Sequence, residues 1–220
     1  MEVIENLWKS IGKRHEIVIW DNGEEGWLSD RHPGSLWPKK PNEIEIHFGP
    51  GYNLREIRLA SQWNIAWEWS ITEFVMICND DVAFQKGWVD VAKQLFQEKN
   101  HEIVGKGYGC FILRKDLNVK FDERFIGLYF EDLDHLLTLE ENDVSHSIAL
   151  DESVFSKSLP LAEYFCHQHY EQGWERPMPM EKREYNRRLN YTRFREKWGG
   201  KGNHKADQAI HDWAFLCENA

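Results

Sequence analysis

Cysteine is scarce. The chain has four, Cys78, Cys110, Cys166 and Cys217, far apart and without a CxxC pair. That argues against a disulfide-stapled scaffold or a thiolate zinc site, and reads as reduced, structural thiols. Long apolar runs are lacking too: no window approaches the roughly 18 to 20 residues that a membrane span requires. The first ten residues, MEVIENLWKS, have neither the basic start nor the apolar stretch of a signal peptide. The expected location is the cytoplasm. Positive charge is in deficit, with 27 Lys+Arg against 37 Asp+Glu and a net charge of −10. A body of that charge repels a phosphate backbone, which argues against a general nucleic-acid coat protein.

Apolar and aromatic residues are plentiful, at 41% and 14% of 220 residues, with eleven Trp. One domain with a substantial core is expected. Apolar runs ending in turn residues alternate with amphipathic stretches, the pattern of an α/β sheet with helices on its faces. Strands are predicted at 16–20 (EIVIW, before Asp21-Asn22-Gly23), at 43–48 (EIEIHF), and at 74–78 (FVMIC, before Asn79-Asp80-Asp81). Another is predicted at 108–114 (YGCFILR), approached through Gly105, Gly107 and Gly109. Helices are predicted at 54–70, 88–97 and 132–140, the last with Leu133, Leu136 and Leu137 on one stripe and Asp132 and His135 off it. Residues 181–205 differ in kind, with nine Lys+Arg against three Asp+Glu. There Tyr191, Phe194 and Trp198 recur at helical spacing, which predicts an amphipathic helix docked on the sheet. We expect one domain over 1–180, with 181–220 as a basic helical segment packed on it.

Two acidic clusters carry chemistry. Asn79-Asp80-Asp81 follows an apolar strand, where α/β folds place ligands, and offers hard oxygen ligands for Mg²⁺ or Mn²⁺. The same residues also suit an ordinary acidic turn or helix cap. Glu131-Asp132 stands at a predicted helix start, where the macrodipole favours an ionised carboxylate able to accept a hydroxyl proton. The plainer alternative is a pair of favourable helix charges.

Taken in order, these pieces resemble a known family. A strand with Asp-Asn-Gly, Asn79-Asp80-Asp81-Val82 followed by Gly87-Trp88, a glycine-rich strand, then FDERF and YFEDLD, then NYTRFREKWGG is similar to the family 2 glycosyltransferases of the GT-A fold. The resemblance runs from about residue 5 to about residue 200 and implies a Rossmann-like mixed sheet with flanking helices. It also implies residue roles. Asp21 would contact the nucleotide base or ribose, or simply form a turn. Asn79 stands where many members have the first acid of a D-x-D signature and would hydrogen-bond the nucleotide, with Asp80 beside Asp81, the metal and diphosphate ligand. Asp132 would be the general base, with Glu131 its neighbour. Gly107 and Gly109 would let backbone approach the donor sugar, unless they are plain turns.

In the same family a downstream histidine completes the metal site. His169 in the segment 166–170 (CHQHY) matches best and His167 second, with His146 a competitor, although a surface or core role suits each one alone. Of the tryptophans, Trp88 and Trp174 are candidates to stack on a sugar ring, while Trp63, Trp67 and Trp69 are expected to pack their helix on the sheet. The chain departs from the family in two places. It begins inside the helix that follows the family's first strand, so that strand is not represented. Trp63-Asn64 also replaces Arg-Asn.

The implied activity is a metal-dependent, inverting transfer of a sugar from a nucleotide-sugar donor to a hydroxyl of a saccharide or other acceptor. Two alternatives stand beside it. One is a transferase acting on a modified base in DNA or on protein, with the basic segment supplying phosphate contacts. The other is a non-catalytic nucleotide-sugar-binding module.

Overall fold

The computed structural model describes residues 17–21, 44–48, 59–79, 82–127, 129–150, 158–167 and 180–218. In chain order the elements are β1 (Ile17–Asp21), β2 (Ile44–Phe48), α1 (Leu59–Trp69), β3 (Phe74–Cys78), β4 (Val82–Phe84), α2 (Trp88–Glu98), β5 (Ile103–Gly107) and β6 (Cys110–Arg114). They continue with α3 (Glu131–Glu141), β7 (His146–Ser147), β8 (Phe165–His167), α4 (Met180–Trp198) and α5 (His204–Glu218). The architecture is mixed α/β. No helix among the described residues is long and apolar enough to cross a membrane.

A four-stranded mixed sheet in the order β3-β6-β5-β7 forms the centre. β6 runs antiparallel to both β3 and β5, and β5 pairs parallel with β7. β1 and β2 pair in parallel, and β4 pairs antiparallel with β8. The strand 74–78 forms at its expected limits. The strand expected at 108–114 is instead one arm of a hairpin, because the glycines belong to a further strand. Gly105 sits so close to its partner that an added Cβ would lie 2.7 Å from the Cys110 carbonyl oxygen. Glycine is there to let two backbones approach, rather than to make a turn.

Alternation along the sheet decides what each face buries. Val75, Ile77, Ile103, Phe111 and Leu113 point into one cluster with Trp67 of α1 and Leu136 and Leu139 of α3. Phe74, Met76, Cys78, Val104, Cys110 and Ile112 point into the other, with Trp88, Leu95 and Phe96 of α2 and Phe165 of β8. A third cluster lies behind α3, where Tyr191, Phe194 and Trp198 of α4 and Ala206 and Cys217 of α5 close over Phe125, Phe130 and Leu137. The stripe on α4 is therefore as expected, but its partners are α3 and α5 instead of the sheet.

The tryptophans divide. Trp67 is fully buried and Trp63 packs edge-on against Phe111 and Phe121, whereas Trp69 at the end of α1 is exposed. Trp69 thus does not pack its helix on the sheet as expected.

Candidate functional site around the start of helix α3

Nothing in the sequence before α3 caps it in the usual way. Phe130, the residue before Glu131, has φ 72° and makes no side-chain capping bond. Gly127 (φ 72°) and Tyr129 (φ 86°) also lie in the left-handed region. For Tyr and Phe this conformation costs on the order of 1–2 kcal/mol each, so surrounding contacts must hold it.

Those contacts come from α4. Asn190, fully buried, accepts a bond from the Ile126 N–H (3.1 Å) and donates to the carbonyls of Ile126 (2.7 Å) and Tyr129 (3.0 Å). One turn earlier the Asn186 side chain fills the space beside Gly127, so that a Cβ there would stand 2.5 Å from Asn186 Nδ2. α4 further holds Asp134, whose carboxylate accepts from Trp198 Nε1 and Lys197 Nζ, each at 2.8 Å. Burial raises the Asp134 pKa, while Lys197 and Trp198 pull it the other way. Lys197 also reaches Asp122, whose carboxyl is held at about 2, chiefly by its hydrogen bond from Arg124.

With its backbone held, the helix start presents two carboxyl groups of different character. Glu131 is 7% exposed and its Oε2 has no hydrogen-bond partner among the described residues. Burial first, and the neighbouring Asp132 second, push its pKa well above the ordinary carboxyl value. Asp132 is half-buried, and its Oδ1 accepts the Leu133 N–H at 2.7 Å, one of the unpaired donors of the first helical turn. The two carboxyl groups therefore sit in different surroundings, one buried and the other half-buried and hydrogen-bonded to the helix backbone.

His135, off the leucine stripe by its spacing, nevertheless lies inside the molecule. It is fully buried and stacks on Phe121 at 3.9 Å. Its Nε2 faces the Val119 carbonyl at 3.0 Å, which can only accept, so Nε2 carries the proton and Nδ1 accepts from the Tyr108 hydroxyl at 2.9 Å. Burial lowers its pKa to about 4. Asn64 ties the FDER segment in place through the Phe121 N–H and carbonyl and the Glu123 carboxylate.

Tyr108 is the bridge to the other acidic motif. It occupies the β5–β6 turn between Gly107 and Gly109, both buried, and the Gly109 carbonyl accepts the Asn79 N–H at 2.8 Å. Asn79 ends β3. His135 is three and four residues past Asp132 and Glu131, the spacing of neighbours on one helix face. Asn79 is thus bonded to the 107–109 turn, and that turn is bonded through Tyr108 to His135, one helical turn past Glu131-Asp132.

The remaining candidates fall as follows. Asp80, Asp81, His169 and Trp174 lie outside the described residues. His167 ends β8 and is the register partner of Val82, the first residue of β4. His146 pairs in β7 with Ile103, the end of β5 remote from Gly107. Asp21 ends β1 opposite Phe48. Trp88 is 7% exposed and packs on Phe84 and Phe165, a core ring rather than an open sugar platform. Among the described residues no three His, Cys, Asp or Glu side chains gather as a metal group.

Sequence reasoning missed Asn186 and Asn190. Their signal is present: two amides four residues apart, in line with Phe194 and Trp198, are polar groups at core positions of α4. Comparison with models of protein families and with curated proteins gives no match.

Proposed function

We propose that the chain is a GT-A-like glycosyltransferase. It moves a sugar, with inversion, from a nucleotide-sugar donor to a hydroxyl of a saccharide or other acceptor, using a divalent cation. The observation that carries this reading is the hydrogen-bonded link from Asn79 through the Gly107–Gly109 turn and Tyr108 to His135, one helical turn past Glu131-Asp132. A displacement needs a donor-binding group and a proton acceptor on facing sides of one carbon, and the two motifs supply one each.

In this reading Asp132 accepts the acceptor hydroxyl's proton as the new bond forms. Glu131, whose acid form burial favours, offers a hydrogen bond beside it. Asn79 and Asp21 hold the nucleotide, with Asp80 beside them. Asp81, with His169 or His167, would hold Mn²⁺ or Mg²⁺, whose charge offsets that developing on the leaving diphosphate. Carboxylate oxygens with one imidazole suit either ion, and the Val82–His167 register supports such a set.

The DNA-directed alternative loses ground. Four residues of the basic segment are already paired within the chain: Arg187 with Glu184, Lys197 with Asp122 and Asp134, Lys201 with Glu141, and Lys205 with Glu140.

Calorimetric titration of UDP, GDP and dTDP, with and without Mn²⁺, tests the proposal. One nucleotide is expected to bind tightly only with the metal, and metal-dependent binding of none would sink it. Asp132→Asn is expected to keep that binding and lose roughly 10²- to 10⁴-fold in transfer, the usual contribution of a general base. Transfer at the normal rate would remove Asp132 from that role.

A further inference from the structure

The β3–β6 ladder sets Cys78 directly opposite Cys110. Two hydrogen bonds decide what kind of pair this is. Asn79 N–H donates to Gly109 at one end of the ladder, and Lys115 N–H donates to Glu73 at the other, each at 2.8 Å. Hydrogen-bonded and non-hydrogen-bonded pairs alternate along an antiparallel ladder. The 79/109 and 73/115 pairs are of the first kind, so 78/110 is of the second. In such pairs Cα atoms are about 4.5 Å apart and the side chains lean together. That separation falls within the roughly 4.4–6.8 Å that a disulfide spans.

Both side chains face the same cluster, Cys110 as a core member and Cys78 packed against it, and neither is in a disulfide. Their exposure differs: Cys110 is fully buried and Cys78 is half-buried. A small reagent therefore meets Cys78 first, with Cys110 directly behind it.

We propose that Cys78 and Cys110 are a reversible oxidation site, converted to an intrachain disulfide by a small-molecule disulfide such as glutathione disulfide. The Cys78 thiolate attacks one sulfur of the reagent. The reagent's S–S bond breaks, and the first glutathione leaves as a thiol carrying the Cys78 proton. The Cys110 thiolate then attacks the Cys78 sulfur of the mixed disulfide, and the second glutathione leaves with the Cys110 proton. The protein loses two electrons and two protons, and the reagent gains both.

The change reaches the end of β3. Reduced Cys78 donates its Sγ–H to the Asn79 carbonyl at 3.0 Å. A disulfide has no such proton, so oxidation removes that bond while fastening the strand end to β6 beside the 107–109 turn. The site does not depend on the glycosyltransferase reading.

The test is incubation of the whole chain with glutathione disulfide, followed by alkylation, intact mass and peptide mapping. The expected result is a mass lower by about 2 Da and loss of two of the four thiols, with one peptide joining Cys78 to Cys110. Dithiothreitol should reverse all three. Cys110→Ala should instead stop at one glutathione on Cys78. The wild-type map decides whether or not that variant folds. A chain that stays reduced, that keeps glutathione on Cys78 without the link, or that joins either residue to Cys166 or Cys217 overturns the proposal.

Discussion

Replacing Asn190 by Ala tests whether α4 is what holds the start of α3. The substitution removes three hydrogen bonds at a fully buried position, two to Ile126 and one to Tyr129. At about 1 kcal/mol net for each bond, the loss is about 3 kcal/mol. Against it stands the left-handed backbone of Tyr129 and Phe130, which stores roughly 2–4 kcal/mol between them. The two quantities are comparable, so without the clamp the turn gains more by relaxing than by waiting for water to satisfy the orphaned groups. The expected cost is therefore limited to about 3 kcal/mol, a fall in Tm of about 6–12 °C for a chain of this size. It should be local, with the amides of residues 131–134 exchanging hydrogen well before global unfolding. Asn190→Asp, which keeps the acceptor for Ile126 N–H and loses both donor bonds, should fall between. Calorimetry with hydrogen exchange reads both quantities. An Asn190→Ala protein that melts within 2 °C of wild type, with those amides equally protected, would refute the reasoning.

Gly127→Ala places a Cβ against Asn186 at a position with φ 72°. It should cost about 2 kcal/mol in urea unfolding, partly restored by adding Asn186→Ala, and a neutral effect would show that the loop is not confined. His135 has its pKa lowered from 6.5 to about 4 by burial. Protonation thus favours the unfolded chain: the stabilisation is complete above pH 6.5 and should be lost, by about 3 kcal/mol, as the pH falls to 4. His135→Gln should flatten that part of the urea midpoint profile, and a wild-type profile parallel to the variant's would contradict it. Glu131 is raised instead, so its stabilisation is present below the ordinary carboxyl value and lost as the pH rises. Relative to Glu131→Gln, the wild type should lose Tm as the pH rises above the ordinary carboxyl value; a constant difference would mean that Glu131 is not buried as an acid.

Much of the framework is legible in short stretches of sequence. FVMIC reads as a strand because every residue is apolar and the run ends in Asn79, and α2 and α4 read as helices because their large side chains recur every three or four residues. What failed did so for identifiable reasons. Residues 103–107 (IVGKG) look like a turn because two of five are glycine, yet Gly105 is needed for the hairpin's close approach. Asp134 and His135 look like solvent residues because one carries charge and the other can. Their burial depends on Trp198 and Lys197, more than sixty residues away in sequence from Asp134, and on Tyr108 and Val119.

The sequence by itself determined the alternation of strands and helices, the places where apolar runs stop at acidic residues, and the stripe on α4, since each depends only on periodicity within a few turns or residues. Tertiary structure alone decided that the Tyr108 turn links Asn79 to helix α3, that α4 packs behind α3, and that Asn190 holds a left-handed turn. It also decided that Cys78 faces Cys110. The physical reason is common to all four: a hydrogen bond, a strained φ or a strand register is set by a partner distant in the chain, and no local pattern encodes which partner that is.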